Sequence, residues 1–545
     1  MIERLFDKMI VEQKDCCINE KFLNSTTHQL ILSAPHLLSI KSKGFIVLDF
    51  GYEVCGKVHI LFSSTNATDN KIRLRMGESV AETNAELGEN GAGNYHSIRD
   101  CEMPVVPSAD ATSSETGFRF VRIDVLGDKE VTISNIYAEN SIYRQENECY
   151  FRTDDEEVNK IYSVAKRTIA LCIQNEHIWD GVKRDRAVWQ GDFHPELLAI
   201  TSTFGGIAEI ENVLNQVEYY VHNQEWVNCI PAYSAWWLVC LNEYYRYSAK
   251  REYVKGKIDY IYAILSEFDK IIKPDGTIDY KDSNLVIYLD NDYFFDWPTN
   301  YTKDSEYGFI ALLTYAFNET KKLLNALALD DALVCELIRR LNKHGVLDSD
   351  FMQVEAFQLL SGRKQHLDKE RLLGENSKGM SSFMSYYILS TMNQCGFNDE
   401  IMPFIKEFFG GMIRLGATTF WEDFDIEWLK DNPQTLLDIP NAECKNIHRD
   451  YGKYCYKGLR HSLCHGWSAG VIAFFTKVIL GVEAVVPGYS KVRITPNLLG
   501  LSMAEGTIPT PFGEIYVKHE LKNGKLESEI KLPKGVVRVD ENDIY

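Results

Sequence analysis

The sequence has no basic stripe: 58 Lys and Arg stand against 78 Asp and Glu, for a formal net charge of −20. A phosphate backbone needs clustered cations, so nucleic acid is excluded as a partner and an uncharged ligand fits better. Long apolar runs are missing too. The first residues, "MIERLFDKMIVEQKD", carry acids and no apolar core, so neither a secretory signal nor a membrane anchor is expected and the chain reads as cytoplasmic, with no membrane partner. Thirteen cysteines are scattered, and the adjacent Cys16 and Cys17 do not have zinc-ligand spacing. They read as reduced, mostly buried thiols. No low-complexity linker interrupts the chain, so its parts are expected to pack on one another.

What is present is a globular composition, 45% hydrophobic and 25% charged, with 12% aromatic residues. Aromatic rings line sugar-binding clefts as well as cores. At 545 residues the chain exceeds one hydrophobic core and suggests about three or four units.

From about residue 44 to 143 the segments "GFIVLDFG", "GKVHILFSS", "KIRLRMGES", "FRFVRIDVLG" and "VTISNIYAEN" alternate apolar and polar positions between turn residues. Phe118, Val121, Ile123 and Val125, with arginines between them, predict an all-β unit with one buried sheet face. After about residue 150 the period becomes helical, beginning at a Thr153 or Asp154 cap in "TDDEEVNKIYSVAKRTIALCIQ". Helical segments, among them "AEIENVLNQVEYYVHN" and "GWSAGVIAFFTKVIL", continue to about 480, a pattern of paired helices that fits an α/α toroid or a solenoid. The last 60 residues return to strands, with Asn523-Gly524 as a hairpin turn.

Three clusters could carry chemistry. In "WDGVKRDRAVWQGD" the spacings among Asp180, Asp185, Trp189 and Asp192 do not share one helical face, so a loop entering a helix is expected, with Pro195 in its first turn. The bland alternative makes Asp192 or His194 a helix-start partner and Asp180 to Arg184 a surface ion pair. In "GATTFWEDFDIEW" the acids Glu422, Asp423, Asp425 and Glu427 repel one another unless they are solvated or given different tasks. Two carboxyl groups from distant parts of the chain, each beside tryptophan, are the minimum kit for glycoside hydrolysis. In "LRHSLCHGWSAG" the pair His461 and His465 has spacing that permits a metal but lacks a matching carboxylate, so no metal is expected. Trp236, Trp237 and Trp297 are further candidate rings, one of the first two turned to a cleft and the other to the core.

Together these clusters resemble the α-L-rhamnosidases of glycoside hydrolase family 78, within the six-hairpin glycosidase superfamily, over nearly the whole chain. The resemblance is carried by the pattern Asp-x4-acid-x3-Trp-x2-Asp in "DGVKRDRAVWQGD", followed in order by "GATTFWE" and "SLCHGWSAG", while "KIRLRMGESV" is similar to a strand of the family's N-terminal sandwich. It implies a multidomain α and β chain: an N-terminal β-sandwich over 1–148, an (α/α)6 catalytic barrel over 149–481 and a C-terminal β-sandwich over 482–545. It further implies an inverting glycosidase that releases α-L-rhamnose from an oligosaccharide or glycoside, needs no cofactor, and leaves homo-oligomerisation open. Asp185 would be the general acid and Glu422 the general base. Asp180, Arg184, Trp189 and Asp192 would hold the sugar, with Trp237, Trp297, Trp421 and His465 as further substrate contacts. One departure stands out, because the family's acid is usually Glu and Asp185 is one methylene shorter. An exo-glycosidase for another α-L-linked or deoxy sugar, and a catalytically silent sugar-binding relative, are the competing readings.

Overall fold

The computed structural model describes every residue except 1, 32, 34, 147, 284–292, 374–378, 454–455 and 540–545. The N-terminal part is a sheet built on one long strand, Leu38–Phe62. That strand absorbs two of the predicted segments and changes register between Asp49 and Val54. Both of its ends lie beside Val131–Ser141, with Leu38 opposite Ile133 and Gly56 opposite Asn140, so the sheet folds round a core of its own. Phe118, Val121, Ile123 and Val125 are buried there as expected. The opposite face of Thr116–Val125 is partly covered as well, unlike the single buried face that alternation predicts. Arg119 is buried, pairs with Asp49 at 2.7 Å and donates to the Gly416 carbonyl of the helical part at 2.9 Å.

The first long helix, Glu156–Cys172, is capped by Asp155, whose Oδ1 accepts from the Glu157 and Val158 amides at 3.0 and 3.2 Å. Thr153 and Asp154 are not the cap because they serve the C-terminal sheet. Thr153 ends the strand Phe151–Thr153, which pairs with Met503–Thr510, and Asp154 accepts from the Ser502 amide. Helices then continue through Pro231–Ser248, Asp304–Leu327 and Asn398–Arg414 to the tract opening at Gly466, sharing one large core with the C-terminal strands. The predicted helix "AEIENVLNQVEYYVHN" is two, Ala208–Asn215 and Val217–His222. "GWSAGVIAFFTKVIL" is not a uniform helix: tight turns over Gly466–Gly470 pass through Val471–Phe474 into wide turns over Phe475–Ile479. Where the tight turns begin the packing is close, since a Cβ on Gly466 would meet Glu196 Oε1 at 2.2 Å.

At the C-terminus, Gly513–Lys522 and Lys525–Lys531 pair through Asn523 (φ 53°) and Gly524 (φ 76°), the two-residue turn that this dipeptide favours. The parts interlock through polar contacts. Leu463 donates its amide to Glu78 Oε2 at 2.7 Å and Val80 to the Leu436 carbonyl at 3.0 Å. The twelve described cysteines are all free, and no described helix is long and apolar enough to cross a membrane.

Candidate active site

The loop 179–192 is fixed near its start. Gly466 donates to the Asp180 carbonyl at 2.7 Å, and Gly181 bridges His465 backbone to backbone. Beyond these anchors Asp185 (φ 51°) and Arg186 (φ 53°) both take the left-handed conformation. Asp tolerates that region better than longer side chains because its short polar group can be satisfied locally. The turn sends Arg184 and Asp185 toward one cavity, while Lys183 goes the other way to Glu78 at 2.9 Å and the His461 carbonyl at 2.6 Å. Helix Phe193–Thr203 starts next, with Pro195 in its first turn. Asp192 occupies the cap position but makes no capping bond, and Asp180 and Arg184 are buried. The bland reading of this stretch therefore does not hold.

The acids of 422–427 have separate tasks. Glu422 exchanges backbone and side-chain bonds with Ser462: its amide donates to the Ser462 carbonyl at 3.0 Å, and the Ser462 amide donates to Glu422 Oε2 at 3.2 Å. Its carbonyl accepts from Ser382 Oγ at 2.6 Å and Trp467 Nε1 at 3.1 Å. Asp423 accepts from the Lys453 amide, and Asp425 from the Glu427 amide at the start of Glu427–Lys430. Glu422, Asp423 and Asp425 are buried, which a solvated helix start would not be.

These segments close a cavity of about 340 Å³. Asp180, Arg184, Asp185, Trp189, Asp192, Trp297, Glu422 and His465 all line it, as the sequence led one to expect. Trp237 and Trp421 do not. Trp237 is fully buried among helices and donates Nε1 to the Leu214 carbonyl at 3.0 Å, and Trp421 packs its ring on Phe424. Ala187, Ile230, Tyr233, Tyr456, Arg460, Trp467 and His96 complete the lining without having been singled out as contacts. His96 comes from the N-terminal part, where nothing in "GNYHSIRD" marks it. Trp467 stands two residues after His465, and their rings lie 4.0 Å apart. Tyr233 packs on Trp189 edge to face and reaches Asp192 Oδ1 at 3.4 Å.

The charges are unevenly satisfied. Arg184 holds Asp185 at 2.7 Å and also pairs with Glu422, while its guanidinium lies 3.9 Å from the centre of the Tyr456 ring. Burial opposes the charge on Arg184, but Glu422, Asp185 and Asp180 outweigh it and hold the group above its usual range. Asp180 and Asp192 are pushed well above the usual carboxylate range, chiefly by burial and then by neighbouring carboxylates, against the pull of Arg184. Burial, reinforced by Arg184, holds His465 well below the ordinary imidazole range. The inner end of the cavity thus presents an imidazole kept neutral and two carboxyls that resist ionisation, a set able both to donate to and to accept from hydroxyl groups.

Among the described residues, two groups have ligand atoms close enough for a cation: Asp180, Asp192 and His465 in the cavity, and Glu78, Glu82 and His448 behind it. In the second, Lys183 already supplies the positive charge, and both His448 nitrogens are engaged, by Ser79 Oγ at 2.7 Å and the His461 carbonyl at 3.0 Å. In the first, His465 Nε2 lies 3.9 Å from Asp180 and 4.0 Å from Asp192. The pair His461 and His465 does not converge on one ion, because His461 Nε2 accepts from the Asp423 amide at 2.9 Å.

Residues 481–539 match the family described as the bacterial alpha-L-rhamnosidase C-terminal domain. An alpha-L-rhamnosidase of Alteromonas sp. (strain LOR) is 30% identical over 124 residues, 22% of this chain and 11% of that protein. The GH78 family rhamnosidase of Bacillus sp. GL1 superposes with a TM-score of 0.68 at 20% identity, covering 91% of this chain and 54% of that one. The rhamnosidase of Klebsiella oxytoca, solved with rhamnose bound, gives 0.64 at 18% identity over 87% of this chain and 96% of that one. The chain thus spans about half the length of the Bacillus enzyme and matches only a small part of the Alteromonas one. In its fold and its C-terminal segment, the chain is similar to the α-L-rhamnosidases that its sequence motifs resemble.

Proposed function

We propose that the chain is a glycoside hydrolase that releases terminal α-L-rhamnose by single displacement with inversion, with Asp185 as general acid and Glu422 as general base. The observation that carries this reading is the convergence of the two carboxyl groups, from stretches more than 200 residues apart, on one guanidinium at the wall of one cavity. An inverting site needs its carboxyls roughly 6.5 to 9.5 Å apart so that water fits beside the sugar. Asp185 and Glu422 pair with separate amino groups of Arg184.

In this mechanism Asp185 gives its proton to the glycosidic oxygen as the C1–O bond breaks. Glu422 takes a proton from the water that attacks C1 from the opposite face. Asp180, Asp192 and His465 bind the sugar hydroxyls, and Trp189 and Trp297 supply apolar ring surface. The left-handed backbone at Asp185 is how the shorter acid reaches the leaving oxygen. The domain scheme proposed with it is two β-sandwiches, over 1–148 and 482–545, flanking an (α/α)6 barrel over 149–481.

Release of L-rhamnose from an aryl α-L-rhamnoside tests the reading. Turnover that is lost in Glu422→Gln supports it. Saturable binding without turnover would instead establish a sugar-binding protein, and turnover only of other α-L-linked or deoxy sugars would establish a different exo-glycosidase.

A further inference from the structure

The net charge of −20 favours an uncharged substrate, yet one wall of the cavity carries a cation with no counter-ion among the described residues. Arg184 and Arg186 are each paired with carboxylates, the second with Glu115. Among the described residues, no carboxylate lies within ion-pair distance of Arg460, and its buried Nε has no hydrogen-bond partner. Its guanidinium lies over two aromatic rings, 4.4 Å from the centre of Tyr456 and 5.0 Å from that of Tyr95. Such stacking fixes the plane of the group and leaves its edge to bind a ligand.

The position of Arg460 fits the leaving group better than the rhamnose. His96 Nε2 lies 3.4 Å from Asp185 Oδ1, and His96 and Arg460 together line both the main cavity and the smaller cleft that adjoins it beside Tyr95. The oxygen that Asp185 protonates must lie within hydrogen-bond reach of it. The group attached to that oxygen therefore leaves the cavity past His96 and Arg460, away from Asp180, Asp192 and His465.

We propose that Arg460 is a specificity-determining residue of the leaving-group subsite, and that the chain acts on α-L-rhamnose linked to a uronate, whose carboxylate the guanidinium receives. A carboxylate matches the planar fork of arginine with two parallel N–H···O bonds, which a neutral sugar cannot return. The inference rests on the hydrolase reading above and adds the substrate class.

The test compares an α-L-rhamnosyl-D-glucuronate with its carboxyl-reduced glucose counterpart of the same linkage. For the full chain, kcat/KM should favour the uronate by on the order of 10- to 100-fold, the weight of one charge-assisted hydrogen-bonding pair. Arg460→Gln should bring the ratio close to one by raising KM for the uronate, and Arg460→Lys should retain part of the preference. Added salt should raise the uronate KM more than that of the neutral disaccharide, an independent reading on the unaltered chain. Equal kcat/KM for the two disaccharides, or an equal fall for both in Arg460→Gln, overturns the proposal. If neither disaccharide nor the aryl rhamnoside is cleaved, the hydrolase reading fails by itself. Calorimetric binding of the two disaccharides then decides the subsite: tighter uronate binding that Arg460→Gln abolishes supports it, and equal affinities refute it.

Discussion

Arg184 grips Asp185 at 2.7 Å and Glu422 with its other amino group, so one buried guanidinium sets the positions of both proposed proton carriers. Lysine keeps a positive charge but has a single ammonium and cannot bridge them in the same plane. Arg184→Lys is expected to lower kcat by on the order of 10²-fold, the cost of misplacing reacting groups by about an ångström, with a smaller change in KM. Steady-state kinetics on an aryl rhamnoside measure this. A KM effect alone would show that Arg184 binds the sugar without positioning the acids.

Gly191 sits where a Cβ would meet the Tyr233 ring at 2.1 Å. Gly191→Ala must push aside the ring that packs on Trp189 and reaches Asp192. A stability loss of about 1 to 3 kcal/mol is expected from overpacking, together with a raised KM, because Trp189 and Asp192 both line the cavity. Unchanged urea midpoint and KM would show that Tyr233 yields freely.

Asp296 is buried beneath the site, and burial raises its pKa from 3.8 to about 6 despite hydrogen bonds from Thr299. Between about pH 4 and 6 the folded chain keeps a proton there that the unfolded chain has released. This group's contribution to stability therefore falls as pH rises through that window, by up to about 3 kcal/mol. Asp296→Asn removes the effect, so the variant should lose less stability than the parent between pH 4 and pH 7 in urea titrations. Identical slopes for the two proteins would contradict the assignment.

Asp180, Asp192 and His465 could gather round a cation, but the same atoms are proposed to bind sugar hydroxyls. Exhaustive chelation should leave both turnover and thermal midpoint unchanged. Loss with a chelator, restored by a divalent ion, would assign the trio to a metal.

The sequence announced much of this site because its chemistry lies in two short, charge-dense stretches, 179–192 and 416–428, that set acids beside tryptophans. Eight of the ten residues singled out line the cavity. Trp237 and Trp421 show the limit: a tryptophan in an apolar or mixed segment reads the same whether its ring faces a cleft or a core, and here tertiary packing buried both. His96 and Arg460 were illegible for another reason. Each gains its meaning from a partner brought close only by folding, Asp185 for the first and the rings of Tyr95 and Tyr456 for the second. The cap at Asp155 was missed because Thr153 and Asp154 answer to strands some 350 residues away, which no local window contains.

The central claim is that Asp185 supplies the proton to the leaving group while Glu422 activates water, and leaving-group dependence in two variants tests it most directly. Asp185→Asn should slow hydrolysis of an alkyl or sugar α-L-rhamnoside by on the order of 10²- to 10⁴-fold, and that of an activated aryl rhamnoside far less, since the aryl oxide departs unaided. Glu422→Gln should slow both alike, because water must be deprotonated whatever leaves. Equal losses on both substrates in Asp185→Asn would contradict the account, leaving Asp185 to position the sugar and moving the search for the acid to Asp180, Asp192 or Glu196.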